Sequence, residues 1–148
     1  MRRTRVLIVI GFVVFVFLGI SALLARALAG AGAERSRVVE VAEAQARGDA
    51  DRVLQLTPDC AAQPACAAAT RTFVAKLKRS GDVQVLQYKP SVQVTFTRTT
   101  GTGRIAWRAG TSLPVVQCVR VQRDGPLTGN GVRLLSISAP IGGESDCP

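Results

Sequence analysis

From Val6 to Ala25 the chain runs twenty residues without a charge, and only Ser21 breaks the apolar run. As a helix at 1.5 Å per residue this stretch is about 30 Å long, the thickness of a bilayer's hydrocarbon core. It is too long and too evenly apolar for the one-sided stripe of a core helix. The pattern predicts residues 1–5 before the membrane, a transmembrane signal-anchor helix over 6–28 and a folded domain over 29–148.

After that segment the period becomes that of amphipathic helices. In Glu34–Arg47, Val38, Val41, Ala42, Gln45 and Ala46 form one stripe, with Glu34, Arg37 and Glu40 assigned to the outer side. Gly48 ends this helix, and Asp49 is an N-cap for a short one carrying Val53, Leu54 and Leu56. Thr57-Pro58-Asp59 breaks it, and Cys60–Pro64 reads as a loop. A third helix over Ala65–Ser80 presents Cys66, Ala69, Thr70, Phe73 and Leu77, and stops at Gly81. From Asp82 the period falls to two. Strands are expected at 83–88, at 92–97, at 104–109 beyond a Gly101-Thr102-Gly103 hairpin loop, at 113–123 and at 132–139. Ile105 and Trp107 then face the core, and Arg104 and Arg108 face away. Helices over about 34–80, a sheet over about 82–139 and a tail over 140–148 give an α+β domain. Two to three helices cover one face of a roughly five-stranded antiparallel meander.

Charge and cysteine placement bear on topology. Arg2, Arg3 and Arg5 precede the apolar run, so the positive-inside rule puts the N-terminus in the cytoplasm and the domain outside the cell membrane. All four cysteines (Cys60, Cys66, Cys118, Cys147) follow the apolar run, in the compartment where disulfides persist. Three pairings are open; proximity in sequence favours Cys60–Cys66 and Cys118–Cys147. With no His and no C-x-x-C pair, no metal site is expected. The small-residue stretch Ala25–Ala33 offers A-x-A sites, so the competing reading is a cleaved signal and a secreted domain. The length of the apolar run favours retention.

The net charge of +9 divides: Arg2, Arg3, Arg5 and Arg26 flank the apolar run, leaving 15 basic and 10 acidic residues from position 30 onward. That surplus falls short of a nucleic-acid-binding protein's. It is concentrated in the sheet half, where Lys89, Arg98, Arg104, Arg108, Arg120, Arg123 and Arg133 face only Asp124. Arg104 and Arg108 share a strand face that Arg120 joins from the next strand, a candidate surface for an anion or an acidic partner. The plainer role of such a face is solvation and blocking of edge pairing. No catalytic residue stands out. The ten carboxylates fall at helix surfaces, caps, turns and the tail, the serines lack a base, and the sole tyrosine, Tyr88, reads as packing. The Gly101–Gly103 stretch lies between strands, so it lacks the helix N-terminus of a phosphate cradle, and no cofactor is expected.

The stretch from Ala42 to Leu56, AEAQARGDADRVLQL, resembles the opening of secreted domains of the nuclear-transport-factor-like family. There an amphipathic helix ends at A-x-G-D, a short helix follows, and a bent antiparallel sheet curls round them. The resemblance implies a cone-shaped α+β fold with a pocket between sheet and helices; the arginine-rich composition fits the high-GC bacteria in which such anchored domains abound. Members include isomerases and dehydratases as well as modules without catalysis. This chain lacks the His and the strand carboxylates of the enzymes, so no catalytic residue carries over. The expectation is a non-catalytic, membrane-anchored binding module whose partner is an envelope protein or an anionic envelope component. A pilin-like structural subunit and a small isomerase-type enzyme are the alternatives; Gly11-Phe12 lacks the pilin glutamate four residues on.

Overall fold

The computed structural model describes residues 2–92, 95–129, 131–142 and 147. Four helices precede four strands: α1 (Arg2–Arg47), α2 (Ala50–Leu56), α3 (Pro58–Ala61), α4 (Pro64–Leu77), β1 (Val83–Lys89), β2 (Thr99–Ala109), β3 (Val115–Arg123) and β4 (Val132–Ile137). The strands form one antiparallel meander in the order β1-β2-β3-β4.

The apolar segment and the first helix of the domain are a single 46-residue helix, about 69 Å long. No break occurs at Ala29–Ala33, although Gly30 and Gly32 each cost helix stability of about 1 kcal/mol relative to alanine. At Gly30 the domain supplies a reason. A Cβ there would lie 2.5 Å from the Arg123 guanidinium, so any larger residue would force that guanidinium to shift. Residues 3–26 are exposed throughout, whereas Ala27 is covered. The domain therefore begins at Ala27, inside the helix. Its far end closes on Gly48, at φ 75°, with the Gly48 N–H donating to Gln45 O and the Asp49 N–H to Ala44 O, the paired bonds of a Schellman cap. Asp49 then accepts from the Arg52 N–H at 2.9 Å and starts α2.

The lower part of α1 lies across the sheet. Val38, Val41, Ala42, Ala44 and Ala46 join Val53, Phe73, Val74, Leu77, Ile105, Trp107, Val119, Val121 and Leu134 in one core cluster. Trp107, with no exposed surface, donates its indole N–H to Gln117 Oε1 at 2.9 Å, and Gln117 donates to Ser138 O at 2.8 Å. That chain satisfies two polar groups inside an apolar layer. The buried amide of Gln45 has no such partner among the described residues.

Several expectations need correction. Among the described residues the sheet has four strands: in the stretch expected to form the strand at 92–97, residues 93 and 94 lie outside the described residues, and 92 and 95–97 are not strand. Gly101-Thr102-Gly103 is no hairpin loop but lies within β2. The glycines are there because the chain leaving β1 crosses them: a Cβ on Gly101 would sit 2.6 Å from Ser91 O, and one on Gly103 3.0 Å from Lys89 O. Pro58–Ala61, assigned to the break and loop, makes one short turn of helix with Pro58 at its start, where its missing N–H costs nothing. In α4 the buried stripe is Ala67, Thr70, Phe73, Val74 and Leu77, so Ala69 faces solvent.

Candidate functional site

β2 carries Ile105, Trp107 and Ala109 inward, which sends Arg104, Ala106 and Arg108 to the outer face. The register sets Gln84 beside Arg108, Cys118 beside Arg104, and Thr102 beside Arg120, with Ser136 on the other side of Arg120. Arg104 and Arg120 are thus diagonal neighbours. Arg108 lies apart from Arg120 and donates to Gln84 Oε1 through Nε at 3.1 Å and Nη2 at 2.9 Å. Arg104 is half-buried. Arg120 opens into a cavity.

That cavity, about 690 Å³, lies over the outer face and is lined by Cys66, Thr100, Gly101, Thr102, Cys118, Arg120, Ser136, Ile137 and Ser138. Both disulfides border it. Cys60–Cys66 ties α3 to α4 across six residues, and Cys118–Cys147 brings the tail onto the middle of β3 across 29. The cavity exists because the α3–α4 turn wraps the β4 edge, held there by Arg133 to Asp59 at 2.5 Å. A smaller recess of about 290 Å³ shares Cys66, Arg120 and Ser136 with Asp59, Gln63 and Leu135. Ser138 is committed, accepting from the Cys118 N–H and donating to Ala139 O. The guanidinium of Arg120 and the hydroxyls of Thr102 and Ser136 form a donor set that suits an oxyanion.

A second polar cluster is buried and went unanticipated. Glu34, assigned to the outer side of its helix, has no exposed surface, and Arg123 is 1 % exposed. Glu34 Oε1 accepts from the Tyr88 hydroxyl and, at 2.8 Å, from the Ser91 N–H; Oε2 accepts from the Ser91 hydroxyl at 2.8 Å. Arg123 Nη1 lies 3.6 Å from Glu34 Oε2 and donates to Val92 O. A buried ion pair needs such full satisfaction, because each charge forfeits its hydration. With both oxygens occupied, Glu34 acts as a tie between α1, the end of β1 and the end of β3. A signal for it exists in the sequence: Glu34 precedes Val38 by four residues on the apolar stripe, and Arg123 continues the inward series Val115, Gln117, Val119, Val121. Charged residues in two apolar registers require one another.

Burial first, then the hydrogen bond to Glu34 and its charge, push the Tyr88 hydroxyl far above the usual tyrosine range. A raised folded-state value means that this contribution is fully present below the unfolded tyrosine's titration, near pH ~10, and declines above it. Tyr88 is the only tyrosine, so phenolate absorbance reports it alone. The expected result is no phenolate signal in the folded protein at pH values where a free tyrosine ionises, then its appearance together with unfolding. Tyr88→Phe should flatten the alkaline loss of stability; an ordinary titration curve in the folded state would contradict the half-buried hydrogen bond to Glu34.

Compared with protein-family models, with curated proteins and with solved structures, the chain matches none.

Proposed function

We propose that this chain is a single-pass, membrane-anchored binding module of the bacterial envelope, without catalysis, which takes an anionic group of an envelope component or partner protein beside Arg120. The observation that carries the anchoring is the unbroken α1, whose exposed apolar part runs directly into the core of the domain. Retention is favoured over cleavage because Ala27 and Gly30, within the small-residue stretch, are already part of the domain's packing. Arg2, Arg3 and Arg5 ahead of the apolar run and two disulfides beyond it support a cytoplasmic N-terminus and an external domain. The order of one long helix, short helices and an antiparallel meander supports the resemblance to nuclear-transport-factor-like domains.

Against an isomerase-type role, the carboxylate nearest the tyrosine is enclosed and fully bonded, and the outer cavity is lined by hydroxyls and a guanidinium that supply no base near neutral pH. One observation favours the pilin-like reading as a second possibility: a long helix, half exposed and half packed on a four-stranded antiparallel sheet, with a disulfide-held tail. Electron microscopy of the purified full chain separates the two, since a subunit of that kind polymerises into filaments and an anchored module does not.

The anion reading is tested on the full chain in neutral-lipid nanodiscs with short-chain polyphosphate as probe. Arg120→Ala should weaken binding about 10-fold or more, because hydrogen bonds to charged groups contribute roughly 1.5–3 kcal/mol. Arg79→Ala, which removes an exposed arginine bonded to the carbonyls of Lys76 and Lys78, should leave it unchanged. Equal affinity in the Arg120→Ala protein would overturn the assignment.

A further inference from the structure

The domain touches α1 from Ala27 onward, and the strand that meets Gly30 there, β3, ends in a loop. Arg123, whose guanidinium lies against Gly30, ends β3 and leads into the loop 124–131. That loop is stitched to the one before β2: the Gly125 N–H donates to Thr97 O at 3.2 Å, and the Leu127 N–H to Phe96 O at 3.1 Å. Arg98 pairs with Asp124 at 2.6 Å across the same seam. The backbones are in such close contact that a Cβ on Gly125 would fall 2.1 Å from the Phe96 carbonyl carbon. Despite this tight backbone, the two loops leave their large apolar side chains outward, Phe96 at 42 % exposure and Leu127 at 68 %.

Position along α1 says what they meet. Gly30 lies about 7.5 Å beyond Ala25, the last residue of the apolar run, and a bilayer's headgroup layer extends roughly 5–8 Å beyond its hydrocarbon. The opposite end of the domain faces away from it: α1 ends there at Arg47, and β2 and β3 are joined there by the turn bearing Leu113. We infer that the paired loops at Phe96 and Leu127 form a second membrane contact, seated in the interfacial layer beside the emerging helix. This rests on the anchoring proposed above. An anchor on a continuous helix already brings these loops to the surface, so their apolar side chains enter the interface without a separate loss of translational freedom.

The full chain is reconstituted in vesicles of phosphatidylcholine with or without bromine on the acyl chains, which quenches nearby indoles. Trp107, the only native tryptophan and fully buried, supplies a constant background. Four variants are compared: Phe96→Trp, Leu127→Trp, Phe15→Trp in the apolar run and Leu113→Trp at the distal turn. The expected result is quenching of the first three and none of the last. Phe15→Trp quenched while Phe96→Trp and Leu127→Trp behave like Leu113→Trp overturns the second contact and leaves the anchor standing. An unquenched Phe15→Trp overturns the anchor, and the loop contact with it.

Discussion

Replacing Glu34 by alanine is expected to destabilise the domain by about 3–5 kcal/mol, the usual effect of leaving one partner of a buried ion pair behind. Arg123 would remain almost fully buried with its counter-charge gone, and the Tyr88 hydroxyl and the Ser91 N–H and hydroxyl would lose their acceptor. Glu34→Gln keeps the shape and part of the hydrogen bonding but not the charge, so it should fall between alanine and the native residue. The double replacement Glu34→Met with Arg123→Met should recover most of the loss, since a matched apolar pair needs no hydration to be given up. The measurement is urea unfolding of the full chain in detergent micelles, followed by the fluorescence of Trp107. A loss below ~1 kcal/mol for Glu34→Ala would show that water reaches the pair.

The same cluster shows where sequence reading works and where it stops. Patterns that depend on neighbours along the chain were readable: the apolar run, the Gly48–Asp49 punctuation between helices, Trp107 on the inward side of its strand, and two disulfides joining sequence neighbours. Features set by distant segments were not. Gly101 and Gly103 carry the local signature of a turn, but they form part of a strand because Lys89–Ser91 passes against them. Glu34 looks solvated when taken with Arg37 and Glu40; its burial follows only once Arg123 is seen to arrive opposite it. Of the three arginines on the outer face, only register and the wrapping of α3 distinguish Arg120, which lines a cavity, from Arg108, which bonds to Gln84.

Continuity of α1 has a mechanical consequence that a linker would remove. Gly30 and Glu34 fix the sheet to the helix about one and a half and two and a half turns beyond the apolar run, through the buried Glu34 and Arg123. The outer sheet face therefore keeps a fixed direction relative to the helix axis, and the cavity beside Arg120 is held at a set distance from that run. A flexible tether would present the same cavity at all heights and angles. On the function proposed above, the rigid one would restrict it to ligands at a particular depth, which suits an immobile envelope component or a neighbouring membrane protein better than a freely diffusing solute.

Removing the tail disulfide by Cys118→Ser with Cys147→Ser is expected to cost about 3.6 kcal/mol, against about 2.2 kcal/mol for the Cys60–Cys66 pair, from the loop entropies of spans of 29 and six residues. The larger loss has a local reason as well. β4 contributes only six residues to the sheet, and beyond it the hydrogen bonds of Ser138 to Gln117 and Cys118, the bridge of Ile141 to Val116 and the bond from Cys118 to Cys147 hold the described residues of the tail against β3. Without the bond Cys118, which lines the Arg120 cavity, loses its covalent partner from the tail. The double-serine protein should thus show two changes: a lower urea midpoint by Trp107 fluorescence, and weaker polyphosphate binding under conditions where it is still fully folded. The Cys60→Ser, Cys66→Ser protein is the comparison, since that bond closes a short loop and also borders the cavity. An equal or larger stability loss for the short loop would mean that native packing around α3 and α4, rather than chain entropy, sets the contribution of these bonds.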